Sequence, residues 1–308
     1  MKSELTLQGV IPANLMPFDA DLNIDEENYR RHLRYLIETE GVTAITINGH
    51  ASEVASLTLD EQQRSLAIAL EEANGKTPII AGVYEDGSQK ATEIANMAEK
   101  EGADCLLIFP SGVFEFGSQQ KPEMFFNHYA TIADATDLPM IAFVYPFNNG
   151  LHINTESLIK ICNDIDNVIA VKEFSNNIAV YERNYRELKA LDKYISVLSS
   201  YSKSLLPSLC IGADGILSGC GSVIADLQIE IFEAVKRENL TEARRVADKL
   251  YPLNEMFYSE PFLDMHNRMK VANALLGRID AAYIRPPFQP ISDGEREKIR
   301  KVITEAGL

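Results

Sequence analysis

Basic residues are scarce in this chain: 29 Lys and Arg stand against 45 Asp and Glu, a formal net charge of −16. A surface of that sign repels phosphate backbones and anionic lipid, so neither nucleic acid nor a membrane is an expected partner. An anionic small molecule would need local donors to hold it. Cysteine is also sparse: Cys105, Cys162, Cys210 and Cys220 form no CxxC and mostly sit in apolar segments, which suits reduced, packed thiols rather than a disulfide or zinc framework. Of the five histidines, His128, His152 and His266 are scattered without ligand spacing, so a metal-dependent mechanism is not expected. No apolar run approaches the roughly 18 residues of a membrane span, and no charged-then-apolar leader opens the chain. The expected compartment is the cytoplasm.

What is present is an ordinary amount of core-forming material, 46% hydrophobic in 308 residues, enough for one large domain or one plus an extension. Short β-like runs alternate with amphipathic helical stretches, the pattern of an α/β protein with a parallel sheet. Eight strand candidates fall at 9–15, 42–48, 78–84, 104–109, 139–145, 168–174, 195–199 and 215–219. Helix starts are readable at Asp25 before Glu26 and Glu27, Thr58 before Asp60 and Glu61, Ser88, Pro122, and Asn154 or Thr155. The stretch from Pro12 to Pro17 has no glycine fingerprint after the first strand, so an open dinucleotide-binding sheet is disfavoured and a closed (β/α)8 barrel is expected. From Ile224 onward the pattern is helical, at 226–238, 241–257, 261–276 and 293–305. The expected division is a barrel over 1–224 carrying the active site and a C-terminal helical region over 225–308.

Barrel chemistry sits at the C-terminal ends of the strands. Lys172 ends the near-continuous apolar run Val168-Ile169-Ala170-Val171, and a cation there must shed its hydration. Desolvation favours the neutral, nucleophilic amine that imine formation needs. Tyr145 ends the preceding strand, close enough in a barrel to serve as a proton relay. After the second strand, Asn48-Gly49-His50-Ala51-Ser52-Glu53 is a loop of small residues with backbone N–H groups available to a carboxylate. His50 there is a candidate for hydrogen bonding to substrate or for proton exchange, whereas Glu53 is expected to tie the loop to the barrel rim. Cys220 reads as lining rather than nucleophile, and Lys203 as an exposed helix lysine.

With these residues in this order, the chain resembles the dihydrodipicolinate synthase / N-acetylneuraminate lyase family of class I pyruvate-type aldolases over essentially its whole length. The likeness rests on the opening from Gly9 to Phe18, on Asn48 to Glu53 where the family has G-[ST]-T-G-E, and on Tyr145, Val171-Lys172-Glu173, Gly212 to Ser218 and Arg285-Pro286-Pro287. The resemblance implies a barrel with a helical C-terminal region, usually a homotetramer, with Lys172 as imine former, Tyr145 as relay and Leu217 in the pocket lining. No cofactor is implied beyond the covalent imine on Lys172.

The departures are equally specific. His50 and Ala51 stand where the family has two hydroxyl residues, and Ser52 where it has glycine. The aromatic that a partner subunit lends to the synthases' relay is missing from Phe109-Pro110-Ser111-Gly112, and the loop Pro146-Phe147-Asn148-Asn149-Gly150 lacks the arginine that holds their second substrate. The expected activity is a Schiff-base lyase acting on pyruvate or a 2-keto-3-deoxy sugar acid, with Gly49, His50 and Ala51 holding the carboxylate. A sugar-acid dehydratase using the same imine, the synthase itself as the less favoured alternative, and a catalytically silent keto-acid-binding paralogue complete the alternatives.

Overall fold

A computed structural model describes residues 5–200 and 202–308. Among them every expected strand forms: β1 (Gly9–Pro12), β2 (Ile45–Ile47), β3 (Ile79–Val83), β4 (Cys105–Ile108), β5 (Met140–Val144), β6 (Val168–Glu173), β7 (Ser196–Ser199) and β8 (Gly215–Ser218). All pair in parallel, in the order β1-β8-β7-β6-β5-β4-β3-β2. Isolated parallel bridges Val10–Val42 and Ala13–Thr46 bring β1 and β2 together and close the ring. Most strands are shorter than the apolar runs suggest, at one or both ends. Asn48 ends β2 in the left-handed region at φ 54, and its carbonyl lies so close to β3 that a Cβ on Gly82 would sit 2.1 Å away.

The helices are α1 (Glu26–Glu38), α2 (Leu59–Ala73), α3 (Ser88–Glu101), α4 (Glu123–Ala133), α5 (Thr155–Asp164), α6 (Ile178–Lys189), α7 (Leu205–Ile211), α8 (Gly221–Lys236), α9 (Leu240–Phe257), α10 (Met265–Leu275) and α11 (Asp293–Glu305). Asp25, Asn154 and Thr58 cap α1, α5 and α2, the last in a reciprocal box with Glu61. Ser88 is not a cap: α3 starts at that residue after Gly87, and its hydroxyl pairs with His128 Nδ1 at 2.9 Å. α8 begins at Gly221, earlier than expected, and packs on β1 and β8 as the eighth barrel helix. Its backbone breaks at Ile224 (φ −130, ψ 40), the point where barrel and helical region were expected to part. The helix expected from residue 261 starts at Met265, after a 3-10 turn over Phe262–Asp264. α9, α10 and α11 pack on one another, and α9 and α10 also on α8.

Alternate strand residues divide between two cores. Met140, Ala142 and Val144 join the layer under the surrounding helices, while Ile141, Phe143 and Tyr145 fill the barrel interior, continuous with the C-terminal helices. β6 departs from simple alternation. Met140 pairs with Val168 and Ile141 with Ala170, so Ile169 is an extra residue in the ladder. Beyond that bulge Val171 joins the outer layer, and Lys172 lies over Phe143 on the inside. Among the described residues no helix is long and apolar enough to cross a membrane.

Candidate active site

Lys172 pairs in register with Phe143, and its Nζ sits 4.1 Å from the centre of that ring. The residue is 8% exposed, and burial alone pushes its amine down from 10.5 to about 7. The next residue, Glu173, faces the opposite way, where Asn184 on α6 donates to it at 3.1 Å and Ser175 donates through N at 3.2 Å and Oγ at 3.1 Å. Burial raises its carboxyl to about 7. Lysine and glutamate are thus neighbours in sequence that never meet.

His50 opens a 3-10 turn over His50–Ser52 after Gly49, and its ring sits edge-on to Phe109 at 4.8 Å and Tyr84 at 5.3 Å. Its Nε2 is hydrogen-bonded to the Tyr145 hydroxyl. Burial, with Lys172 nearby, depresses the imidazole to about 3, and burial holds the Tyr145 phenol well above its usual value. Both groups are therefore neutral at pH 7. With both groups neutral, either the phenol donates to Nε2 or an Nε2–H donates to the phenol oxygen, according to which ring nitrogen carries the proton.

The pocket above Lys172 is lined by Gly49, His50, Ala51, Phe143, Thr46 and Gly219 among others, and its far wall is Tyr258, Met265 and His266. Its free space is about 30 Å³, room for a water or two. Of the expected site residues, the structure gathers Lys172, Gly49, His50 and Ala51 here. Tyr145 is not on the lining but is joined to it through His50. Leu217 is fully buried in the barrel interior, and Gly219, just past the end of β8, lines the pocket instead.

Glu53 keeps the structural part expected of it. Its backbone is in the left-handed region at φ 53, its carboxylate accepts from the buried Nζ of Lys270 on α10, and Arg285 N donates to it at 3.3 Å. Arg285 also reaches Glu61 at 2.6 Å, Ser56 O at 2.8 Å and Leu22 O at 2.9 Å, clamping the loop that carries His50. Cys220 is buried against Gln228, whose Nε2 lies 3.1 Å from Sγ. Lys203 forms an exposed pair with Glu255 at 3.7 Å. In the short loop after β5, Phe147 N donates to Ser175 O at 2.7 Å and His152 Nδ1 lies 2.9 Å from Tyr145 O, contacts that hold the loop in place.

His266 and Thr46 were not expected in the site. Neither has a readable signal in sequence: His266 lies 94 residues beyond Lys172 on a helix of the C-terminal region, and Thr46 is one β-branched residue in a strand of them.

The lysine amine of lowered basicity lies at the C-terminal end of a barrel strand with a phenol–imidazole pair alongside, and the fold is that of a barrel lyase of the class I aldolase type. The chain belongs to the dihydrodipicolinate synthetase family, whose model matches residues 6–306. It is 30% identical over 305 residues to the 4-hydroxy-tetrahydrodipicolinate synthase of Methanopyrus kandleri, covering 98% of this chain and 97% of that one. Among solved structures it resembles a monomeric dihydrodipicolinate synthase variant at 28% identity and TM-score 0.90, over 98% of this chain and 97% of that one. The fold is shared as well with a prophage protein of the family from E. coli K12, solved in complex with pyruvate, at 19% identity and TM-score 0.90 over 99% of this chain and 100% of that one.

Proposed function

We propose that the protein is a Schiff-base lyase that forms an imine between Lys172 and a 2-oxo acid of the pyruvate type. The observation that carries this reading is the lowered basicity of a lysine amine buried in the pocket. The neutral amine attacks the C2 ketone, the carbonyl oxygen takes up protons and leaves as water, and the resulting iminium draws the electrons of the bond that breaks, or accepts them back when the bond forms. The Tyr145–His50 pair serves as the proton route. Burial disfavours both a standing phenolate and a standing imidazolium, so protons pass along the pair in concert with the chemistry. The turn of Gly49, His50 and Ala51 lines the pocket, and N–H groups that open a helical turn have no partner inside it, which suits them to the substrate carboxylate. The covalent imine needs no separate cofactor.

A second reading has its own support: the full-length relatives at 30% identity are named 4-hydroxy-tetrahydrodipicolinate synthases, which favours condensation more than the sequence reading did. Against it stands the loop from Phe147 to Gly150, which offers no cation to a second carboxylate. A homo-oligomer also belongs to the proposal, because Phe116, 91% exposed, and Val113 leave an apolar patch on the loop after β4 that a second copy would cover.

The experiment is intact mass after borohydride reduction with a panel of 2-oxo acids, in the wild type and in Lys172→Ala. Pyruvate trapped on the wild type and absent from the variant is the expected outcome; trapping that persists in Lys172→Ala removes the assignment. Condensation of pyruvate with an aldehyde bearing its own carboxylate then separates the synthase reading from the others.

A further inference from the structure

The C-terminal helical region contributes a side chain to the pocket that the imine chemistry does not use. His266 stands in the first turn of α10 and lines the same space as Lys172 and His50. The end of β8 is shaped around it: a Cβ on Gly219 would lie 2.9 Å from His266 Nε2 and 3.0 Å from its Cδ2, so glycine is what lets the imidazole lie against the strand. No described residue forms a hydrogen bond with this ring. The hydroxyl of Thr46, also on the lining, is buried without a partner, whereas His266 is only partly buried. A buried hydroxyl without a partner is rare in native proteins and calls for a ligand or an ordered water, and the His266 ring nitrogens, not hydrogen-bonded within the chain, are free to meet the same ligand. The remaining lining is apolar, glycine or aromatic apart from Lys172, His50 and Ser200, and it includes no arginine and no second charged lysine.

We propose that His266 is a specificity-determining residue that hydrogen-bonds an uncharged oxygen, hydroxyl or carbonyl, on the part of the 2-oxo acid beyond the imine carbon. The inference rests on the reading of Lys172 as the imine former. The chemistry of the wall decides the class of group recognised. Burial, with Lys172, His50 and Lys270 nearby, holds the His266 ring well below its usual basicity, so it meets a ligand as a neutral donor and acceptor. A neutral imidazole can satisfy a hydroxyl or a carbonyl. It gives a second carboxylate no counter-charge, and burying an uncompensated charge is strongly unfavourable. The substrate class is therefore a 2-oxo acid with one carboxylate and an oxygenated, uncharged chain.

The test compares rates of borohydride-dependent imine trapping for three probes: 2-keto-3-deoxygluconate, whose chain carries hydroxyls; 2-oxohexanoate, of the same length without them; and 2-oxoadipate, which ends in a second carboxylate. The wild type should trap the first at least tenfold faster than the second and the third slowest. His266→Phe fills the same space against Gly219 without hydrogen-bonding atoms, and should lower the ratio of the first two rates at least tenfold, with His266→Asn restoring part of it. Pyruvate trapping, measured alongside, gauges any general loss. Equal losses for all probes in His266→Phe, or fast trapping of 2-oxoadipate by the wild type, would overturn the inference while leaving Lys172 in place. Absence of trapping with every probe and with pyruvate overturns the Lys172 reading and this inference with it.

Discussion

Lys172 is legible in the sequence because one cation interrupts an apolar run, and the structure supplies what the run does not say, the direction in which it points. Its buried amine makes a signed prediction about stability. The folded-state value of about 7 lies below the ordinary 10.5, so between those two pH values the unfolded chain holds the proton that the folded chain has lost. Over that window the lysine's contribution to stability rises with pH, by up to about 1.4 kcal/mol per pH unit. Lys172→Met should be more stable than the wild type at pH 7, with the gap shrinking toward pH 10.5; urea titrations across the range would show it, and a pH-independent gap would contradict the buried-amine picture. The partnership of His50 with Tyr145 was not legible, since 95 positions separate them and neither residue type announces the other. If they form one proton route, Tyr145→Phe and His50→Phe should each slow turnover by roughly 10²–10⁴, and the double variant should be little worse than the slower single one. Multiplicative losses would mean that the two act independently.

Whole elements were easier to read than their faces. Strand and helix identities follow from β-branched runs and capping residues such as Thr58 with Glu61, which act locally. The bulge at Ile169 left no mark, because Val168 to Val171 are all apolar and a shift of one residue changes nothing in such a run while exchanging inside for outside. Nor was the span from α10 to the His50 loop visible: Glu53 and Lys270 are 217 positions apart. That buried ion pair steadies a residue in the left-handed region, so removing one partner alone leaves a charge stranded. Lys270→Met is expected to cost about 3–5 kcal/mol, and adding Glu53→Gln should recover a good part of it. Thermal unfolding of the two variants measures this; a silent Lys270→Met would show that water reaches the carboxylate.

For the molecule as a whole, the order of eight strands and the acidic balance were both available from the sequence, and the closure of β1 on β2 completes the barrel they imply. The charge has a kinetic consequence. A net charge of −16 repels a monoanionic 2-oxo acid, and the pocket offers little positive charge to offset it once Lys172 is neutral. Raising ionic strength from about 0.01 to 0.15 M shortens the screening length from about 30 to 8 Å, so KM for pyruvate should fall while kcat changes little. A KM that rises with salt would reveal a local attractive field.

The far wall of the pocket comes from Tyr258, Met265 and His266, residues that leave the ribosome long after Lys172. Without them the amine at the end of β6 is expected to be more open to water and to keep more of the basicity of an ordinary lysine. Reactivity toward carbonyl compounds is then expected to arrive only when the last helices seat, and a chain ending before α10 should form fewer borohydride-trapped adducts than the whole one.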